Sequence, residues 1–197
     1  MQQQPTLSVS VEVSARHVHL DIVAFETLFG TGTKLSLKRD LSQPGQFASS
    51  ETVVLKTQGG LLESVRILGP LRDYCQVELS KTEARLLGLD PPIRRSHELD
   101  LDGTPGLTIV GPQGEIRLDK GVIIPWRHLH ISNTEALDLK LAADSLVSVR
   151  ITGERATIFE NVLVHMHPSF HLSVHLDTDE GNAAGVGMHT EGEILPW

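Results

Sequence analysis

Histidine is the residue type in this sequence with the most chemical potential. The chain has 197 residues and ten histidines, most of them in three short clusters. Two clusters have the form His-x-His, at His17/His19 and at His128/His130. On a strand, residues i and i+2 point to the same face about 6 to 7 Å apart, so both imidazoles can reach one metal ion. A pair of solvent-facing histidines beside a buried apolar residue is the alternative, but the recurrence of the pattern favours metal binding.

The third cluster lies near the C-terminus and offers several ways to complete a three-ligand site. If residues 170–176 form a strand, apolar side chains occupy one face and histidine, serine and aspartate the other. Spacing alone does not select a ligand among the four candidates, which are His165, His167, His171 and His175.

Other side chains with chemical potential lie between the His-x-His pairs. Arg72 follows a Gly-Pro turn and suits a planar oxyanion such as phosphate, and Glu78 in an alternating strand is a candidate oxygen ligand for a metal. Surface charges are the alternative interpretation of both. Cys75 could be a nucleophile, but a lone cysteine in an apolar strand is more often a small core residue.

The elements that must position these residues are mainly short strands. Alternation predicts strands at residues 8–13, 115–118 and 148–152, and turn signals predict hairpins at residues 58–60, 112–114 and 152–154. Asp21 is expected to cap a helix from Ile22 to Phe29, and Ser80 and Ser132 begin two capping boxes. Residues 91–106 form the longest loop candidate. Residues 181–187 match no phosphate-loop pattern, so we interpret them as a flexible turn.

An internal repeat organises these elements. Residues 14–21 and 125–132 share the pattern Arg-His-apolar-His-apolar, each after a strand-like run and before a helix start. The repeat predicts two similar β modules, interpreted as barrels.

Composition excludes several classes of protein. Lysine and arginine number 17 against 25 acidic residues, for a formal net charge of -8, and the absence of a basic run argues against nucleic-acid binding. The single cysteine excludes a disulfide framework and a cysteine-ligated zinc finger. Without a signal peptide or an apolar membrane span, the expectation is a cytoplasmic protein that does not bind a membrane.

Five collinear motifs resemble the PduL-type phosphate propanoyltransferases in order and spacing over nearly the whole chain. They are Ser-Ala-Arg-His-Val-His-Leu (14–20), Asp-Leu-Ser-Gln-Pro-Gly-Gln-Phe-Ala (40–48), Leu-Gly-Pro-Leu-Arg (68–72) with Gln-Val-Glu-Leu-Ser (76–80), Gly-Val-Ile-Ile (121–124) with Arg-His-Leu-His (127–130), and His-Leu-Asp-Thr-Asp-Glu-Gly-Asn-Ala (175–183). The resemblance implies a phosphotransacylase that interconverts acyl-CoA and acyl phosphate, built from two small β-barrels capped by short helices.

The family pattern also implies the binding residues. One zinc ion would be held by His17, His19 and Glu78, and a second by His128, His130 and His175. Arg72 falls on the phosphate-binding arginine of the family. Positions near coenzyme A are Val13, Ser14, Ala15, Arg66 and Asn182. The family scheme places the N-terminal strand in the C-terminal barrel, so the expected domains are residues 15–126 and residues 1–14 plus 127–197.

The chemistry expected from these residues is direct transfer. Phosphate would attack a metal-polarised acyl-CoA such as propanoyl-CoA, with Arg72 neutralising phosphate charge and without an acyl-enzyme. The alternatives are a zinc-dependent hydrolase of a thioester or amide and a non-catalytic metal-binding β-barrel. The expected partners are acyl-CoA or CoA and phosphate or acyl phosphate, and a homo-oligomer is compatible with the sequence. A bacterial microcompartment is the alternative location, although only about seven polar residues precede the first strand where encapsulated relatives often carry an amphipathic extension.

Overall fold

The computed structural model describes residues 7–195, and this part of the chain is mainly β with a few short helices. In chain order, the strands are β1 (Leu7–Val13), β2 (His17–His19), β3 (Leu37–Asp40), β4 (Phe47–Lys56), β5 (Leu61–Gly69), β6 (Gln76–Glu78), β7 (Ile93–Arg94), β8 (Leu107–Val110), β9 (Glu115–Leu118), β10 (Val122–Pro125), β11 (His128–Ile131), β12 (Leu146–Ile151), β13 (Thr157–Met166), β14 (Ser173–Leu176) and β15 (Glu191–Ile194). The helices are α1 (Ile22–Phe29), α2 (Lys81–Leu86), α3 (Asn133–Asp138) and α4 (Thr178–Ala184).

The chain divides into two compact units. The central unit runs from Ala15 to Pro125, and the second unit combines the residues up to Ser14 with those from Trp126 onward. The terminal residues 1–6 and 196–197, which the sequence assigns to the second domain, lie outside the described residues.

The second unit is a closed barrel of six strands in the order β1-β14-β11-β13-β12-β15. β1 pairs in parallel with β14 and antiparallel with β15, so the N-terminal strand does join the C-terminal barrel. Apolar side chains alternate into the barrel, as Val9 and Val11 do on β1 and Val174 does on β14. The alternation leaves Glu12 and His175 on the opposite, outer face.

The central unit is a nine-stranded sheet curled into a half-barrel. Its order is β7-β10-β6-β2-β5-β4-β8-β9, with β3 pairing to β4. Its edge strand β7 is only two residues long and lies in the Pro- and Gly-rich segment predicted as a loop, where proline removes donors that a ladder needs. The mainly β fold with two β modules is therefore confirmed, with one barrel closed and the other open.

The local sequence signals correspond closely to the elements formed. The three predicted hairpins connect β4 to β5, β8 to β9 and β12 to β13, all of which pair antiparallel. Helix α1 begins after Asp21, whose carboxylate accepts from the Ala24 amide, and ends at Gly30. The capping boxes at Ser80 and Ser132 both form.

The interpretation of residues 181–187 as a flexible turn is wrong, because residues 178–184 form helix α4. Asp177 caps this helix and Glu180 completes a capping box, a signal that the glycine-rich composition concealed. Gly181 lets the helix approach β1 closely, since a Cβ there would lie 2.5 Å from the Val13 side chain. Gly185 ends the helix with a positive φ of 67°, which glycine adopts readily.

None of the helices within residues 7–195 combines the length and apolar content that crossing a membrane requires.

Helix α1 offers a direct test of the core of the central unit. Phe25 is fully buried and stacks on Phe29 with ring centroids 4.9 Å apart, whereas Val23 on the same helix is 71% exposed. We expect Phe25→Ala to lower the free energy of unfolding by about 3 to 5 kcal/mol, measured by urea denaturation with far-UV circular dichroism. Val23→Ala is the matched control and should change it by less than about 0.5 kcal/mol. Equal effects of the two variants would contradict the packing of this helix.

Candidate metal centres and active site

The first centre lies in the central unit, where strand pairing brings together two imidazoles and a carboxylate. In the antiparallel pairing of β2 with β6, His17 lies opposite Glu78. Ligand atoms of His17, His19 and Glu78 all lie within 4.8 Å of one another, and all three residues are buried. The His17 Nε2 atom is 3.4 Å from Glu78 Oε2, and His19 Nε2 is 3.9 Å from Glu78 Oε1.

Neighbouring polar groups fix the orientation of these side chains. His17 Nδ1 lies 2.9 Å from the Ala15 carbonyl oxygen, and because a carbonyl only accepts, Nδ1 carries the hydrogen and Nε2 keeps its lone pair for a metal. The Ser96 hydroxyl donates to Glu78 Oε2 at 3.1 Å. The Gln76 amide, in the orientation that satisfies both of its polar atoms, donates to Glu78 Oε1 at 3.3 Å.

The protonation states of the first centre are strongly coupled. Burial alone would raise the pKa of Glu78, but the charge and hydrogen bond of His17 hold that pKa far below its usual range. Burial lowers the pKa of His17, and the Glu78 carboxylate outweighs burial and leaves it raised. Burial and the charge of His17 place the pKa of His19 well below its usual value. The raised pKa of His17 and the lowered pKa of Glu78 favour an ion pair between the two side chains, and a metal ion bound to both would compete with that proton.

The second centre lies on the barrel and has three imidazoles. In the antiparallel pairing of β11 with β14, His128 lies opposite His175, which corresponds to the pairing of His17 with Glu78. The ring centroids of His128, His130 and His175 are 4.4 to 5.2 Å apart. Ligand atoms of the three residues lie within 4.8 Å of one another, and His130 is the buried member.

The two centres share the groups that orient them. His128 Nδ1 lies 2.7 Å from the Trp126 carbonyl oxygen, the counterpart of the contact between His17 and Ala15. The arginine before each His-x-His also bonds the capping-box glutamate of the helix that follows the third ligand. These pairs are Arg16 with Glu83 at 2.9 Å and Arg127 with Glu180 at 3.3 Å. The repeat seen in the sequence therefore extends to the groups that hold each ligand strand and helix in place.

The chemistry of both donor sets fits a zinc ion. Imidazole nitrogen and carboxylate oxygen are preferred zinc ligands, and three protein ligands leave the fourth position of a tetrahedral ion to a further ligand. In the first centre, His19 Nδ1 is buried and makes no hydrogen bond to any group of residues 7–195. Burying such a polar group is costly unless it is paired or binds a cation, so a metal ion bound at that nitrogen would remove the cost.

Arg72 lies beside the first centre in a cleft of about 420 Å³. One guanidinium nitrogen donates to the Ser96 carbonyl at 3.0 Å and to the Tyr74 hydroxyl at 3.3 Å, which fixes the side chain at the wall of the cleft. His19 lines the same cleft. His97 and Gly45, which belongs to the Gln-Pro-Gly segment 43–45, also line it. An anion in this cleft would therefore meet the fixed charge of Arg72 next to a candidate metal ligand.

The residues expected near coenzyme A fall in both units. In the central unit, Ala15 is exposed, and Arg66 donates to the Ser49 and Ser50 carbonyls at 3.1 and 2.9 Å. In the barrel unit, Val13 is 40% exposed, the Ser14 amide donates to the Leu176 carbonyl, and Asn182 is exposed on α4.

The structure distinguishes the histidines of the third cluster. His175 joins the second centre, and His165 lies beside it with its ring centroid 5.5 Å from that of His130. His167 is exposed and contacts the Ser169 hydroxyl, and His171 is also exposed.

Sequence reasoning missed four residues at the first centre and in the cleft beside it. Gln76 shares the face of β6 with Glu78, so its spacing could have indicated a role. Ser96 and His97 lie in an irregular segment and carry no periodic signal, and Tyr74 precedes the strand.

Comparison with known proteins identifies the family of this chain. Residues 10–187 match the family model described as phosphate propanoyltransferase. The chain is 46% identical over 186 residues to the phosphate propanoyltransferase of Salmonella typhimurium, covering 94% of this chain and 86% of that protein. It is 46% identical over 188 residues to the enzyme of that name from Thermotoga maritima, and the match covers 95% of this chain and 87% of that protein. It is 40% identical over 195 residues to the enzyme of that name from Enterococcus faecalis, and the match covers 99% of this chain and 92% of that protein.

The fold and these matches define an acyltransferase. Specifically, the chain belongs to the phosphate propanoyltransferase family.

Cys75 does not have the properties of a nucleophile. Burial raises the pKa of its thiol to about 11, and the thiol lies 3.5 Å from the Asp21 carboxylate. Because the thiolate is the reactive form, we expect alkylation by iodoacetamide at pH 8 to be at least about tenfold slower than for a free cysteine and to accelerate as the pH approaches 11. Mass spectrometry of the labelled protein measures this rate, with urea-unfolded protein as the control. Alkylation at the same rate in folded and unfolded protein would show that the Cys75 thiol is accessible and reactive, contrary to this prediction.

Proposed function

We propose that this enzyme is a zinc-dependent phosphate acyltransferase that converts a short-chain acyl-CoA and phosphate to an acyl phosphate and CoA, and the reverse. The observation that carries the proposal is the position of Arg72 in one cleft with His19, a member of the buried His-His-Glu centre. A guanidinium held beside a centre suited to a metal ion supports the binding of phosphate in this cleft. The relatives are named phosphate propanoyltransferase, which supports propanoyl as the acyl group.

Two zinc ions per chain are the proposed cofactors. His17, His19 and Glu78 would hold one ion, and the three histidines of the barrel centre the other. When bound, such an ion polarises a thioester carbonyl and lowers the pKa of a thiol or other ligand. The carbonyl oxygens of Ala15 and Trp126 keep the first histidine of each pair oriented, and Ser96 with Gln76 does the same for Glu78.

The residues of the cleft would bind and orient phosphate. Arg72 is held by the Ser96 carbonyl and by Tyr74, so little side-chain freedom is lost when an oxyanion binds. Its guanidinium can form two parallel hydrogen bonds to phosphate, and it stabilises the negative charge of the transition state.

The transfer step is proposed to be direct. A phosphate oxygen attacks the thioester carbonyl carbon, the new carbon–oxygen bond forms, and the carbon–sulfur bond breaks to release CoA thiolate, which then takes up a proton. No acyl-enzyme is needed, and the lone cysteine is protonated in the neutral pH range. Covalent capture of an acylated side chain during turnover would contradict direct transfer.

Coenzyme A is proposed to contact the five residues that the family pattern implies. They are Val13, Ser14, Ala15, Arg66 and Asn182. Arg66 is the cation among them, and its bonds to the Ser49 and Ser50 carbonyls fix its position on the sheet.

A phosphate-dependent assay tests the function together with the metal requirement. We expect the chain to form acyl phosphate and free CoA from propionyl-CoA only when phosphate is present, and comparison with acetyl- and butyryl-CoA defines the chain length. Removal of metal by a chelator should lower turnover by at least about 100-fold, and addition of Zn²⁺ should restore it with two ions per chain.

The same assay separates the two alternatives. A hydrolase would release free acid without phosphate, and a non-catalytic metal-binding protein would bind zinc without affinity for coenzyme A. Isothermal titration with coenzyme A, before and after chelation, measures that affinity.

Arg72 has a specific expected phenotype. Arg72→Ala should lower kcat/KM for phosphate by about 100- to 1000-fold, because the fixed charge opposite the phosphate is lost, while the zinc content stays the same. Arg72→Lys should recover only part of this loss, since lysine cannot form the paired hydrogen bonds. Arg117→Ala is the control, because the Arg117 side chain is 85% exposed. Unchanged phosphate kinetics in Arg72→Ala would remove Arg72 from the site.

A further inference from the structure

The two β modules differ at one position next to the third ligand. In the central sheet, β10 runs parallel to β6 and places Ile123 beside Glu78. In the barrel, β1 runs parallel to β14 and places Glu12 beside His175. Glu12 and Ile123 lie at the same distance in sequence before His17 and His128, so they occupy equivalent positions of the repeat.

The two modules carry their carboxylate on different strands. The central unit has its carboxylate on the ligand strand and an apolar residue on the adjoining strand. The barrel has an imidazole, His175, on the ligand strand and a carboxylate, Glu12, on the adjoining strand. Neighbours across a parallel pair point to the same face of the sheet, so each module presents one carboxylate beside its histidines.

The distance from Glu12 to His175 matches the separation of two ligands of one ion, and the half-exposed Glu12 side chain would turn toward His128 and His130 to join their group. Glu12 Oε2 is 3.5 Å from His175 Nε2, and in the central unit Glu78 Oε2 is 3.4 Å from His17 Nε2. Two ligands at about 2.0 to 2.2 Å from a tetrahedral zinc ion are separated by about 3.4 Å. The pair in the barrel therefore has the separation expected of two ligands of one ion.

Burial and charge support the same role. The Glu12 side chain is 36% exposed and the His175 side chain 17%, so a cation could be approached from solvent yet would be partly shielded. Three neutral imidazoles leave the full charge of a divalent ion uncompensated, and one carboxylate reduces the net charge of the centre to that of the His-His-Glu centre.

We propose that Glu12 is the fourth protein ligand of the metal ion at the three-histidine centre. This inference rests on the metal binding proposed above. It makes the barrel centre a three-histidine, one-carboxylate site and assigns a direct metal contact to a residue of the N-terminal strand.

Substitution of Co²⁺ for zinc in the full chain tests this ligand without measuring activity. The metal-free protein is titrated with Co²⁺ against a competing chelator, and the visible absorption of the bound cobalt is recorded, because that absorption reports coordination. The expected result is that Glu12→Gln weakens the affinity for one of two bound ions by at least about tenfold and alters its absorption. Glu160→Gln is the matched control, an exposed glutamate on β13 of the same barrel, and should change neither.

Two outcomes would overturn the inference, and they distinguish its failure from the failure of the proposed function. If the unaltered chain binds two ions and Glu12→Gln leaves both affinities and the absorption unchanged, Glu12 is not a ligand, although the metal centres stand. If the unaltered chain binds no ion at the three histidines, both this inference and the second zinc ion of the proposed function fail. Glu12→Ile is the second variant, since the equivalent Ile123 is accommodated in the central sheet, and it should reproduce the loss if Glu12→Gln folds poorly.

An ion pair with His175 is the remaining role for Glu12. A carboxylate that only supports a metal-bound imidazole also contributes about 10- to 100-fold to metal affinity, but its loss leaves the coordination number of the ion unchanged. In that case Glu12→Gln would weaken cobalt binding and leave the visible absorption of the bound ion unchanged. This outcome would also overturn the inference.

Discussion

The pairing of each His-x-His strand with the strand that carries the third ligand is the constraint on which both centres depend. Antiparallel registry places His17 opposite Glu78 and His128 opposite His175. Because the side-chain period of a strand is two, a slip of one residue would turn all ligands to the opposite face and bury polar groups in the core. The fully buried Val18 and Leu129 between the histidines resist that slip, since they would then face outward.

The groups around the ligands explain how buried polar side chains are tolerated. Backbone carbonyls orient the first imidazole of each pair, and Arg16 and Arg127 bond the capping glutamates of α2 and α4. Each helix is thereby tied to the strand that carries the histidines. A ligand strand, a His-x-His strand and a capped helix form one unit, and the chain builds that unit twice. This repetition accounts for two candidate metal centres on two different sheets, one closed and one open.

An acidic chain that is proposed to bind polyanions needs positive charge at defined positions. The net charge of -8 makes a general basic surface unavailable. Arg72 is instead held in the cleft by the Ser96 carbonyl and Tyr74, and Arg66 by two carbonyls of β4. Fixed cations of this kind lose little entropy on binding, and Arg72 lies in a partly desolvated cleft where charge interactions are stronger than in water.

The sequence by itself determined the elements whose signals are local. Helix α1, the capping boxes at Ser80 and Ser132 and the three hairpins follow from residues close together in the chain, and the His-x-His pairs follow from strand periodicity. Spacing could not choose the third ligand, because His175 meets His128 only through the pairing of β14 with β11. Nor could it show that Ser96 supports Glu78 or that Glu12 lies beside His175, since those contacts join segments far apart in sequence. Only the tertiary structure decided them, because long-range strand registry is set by the packing of the whole sheet.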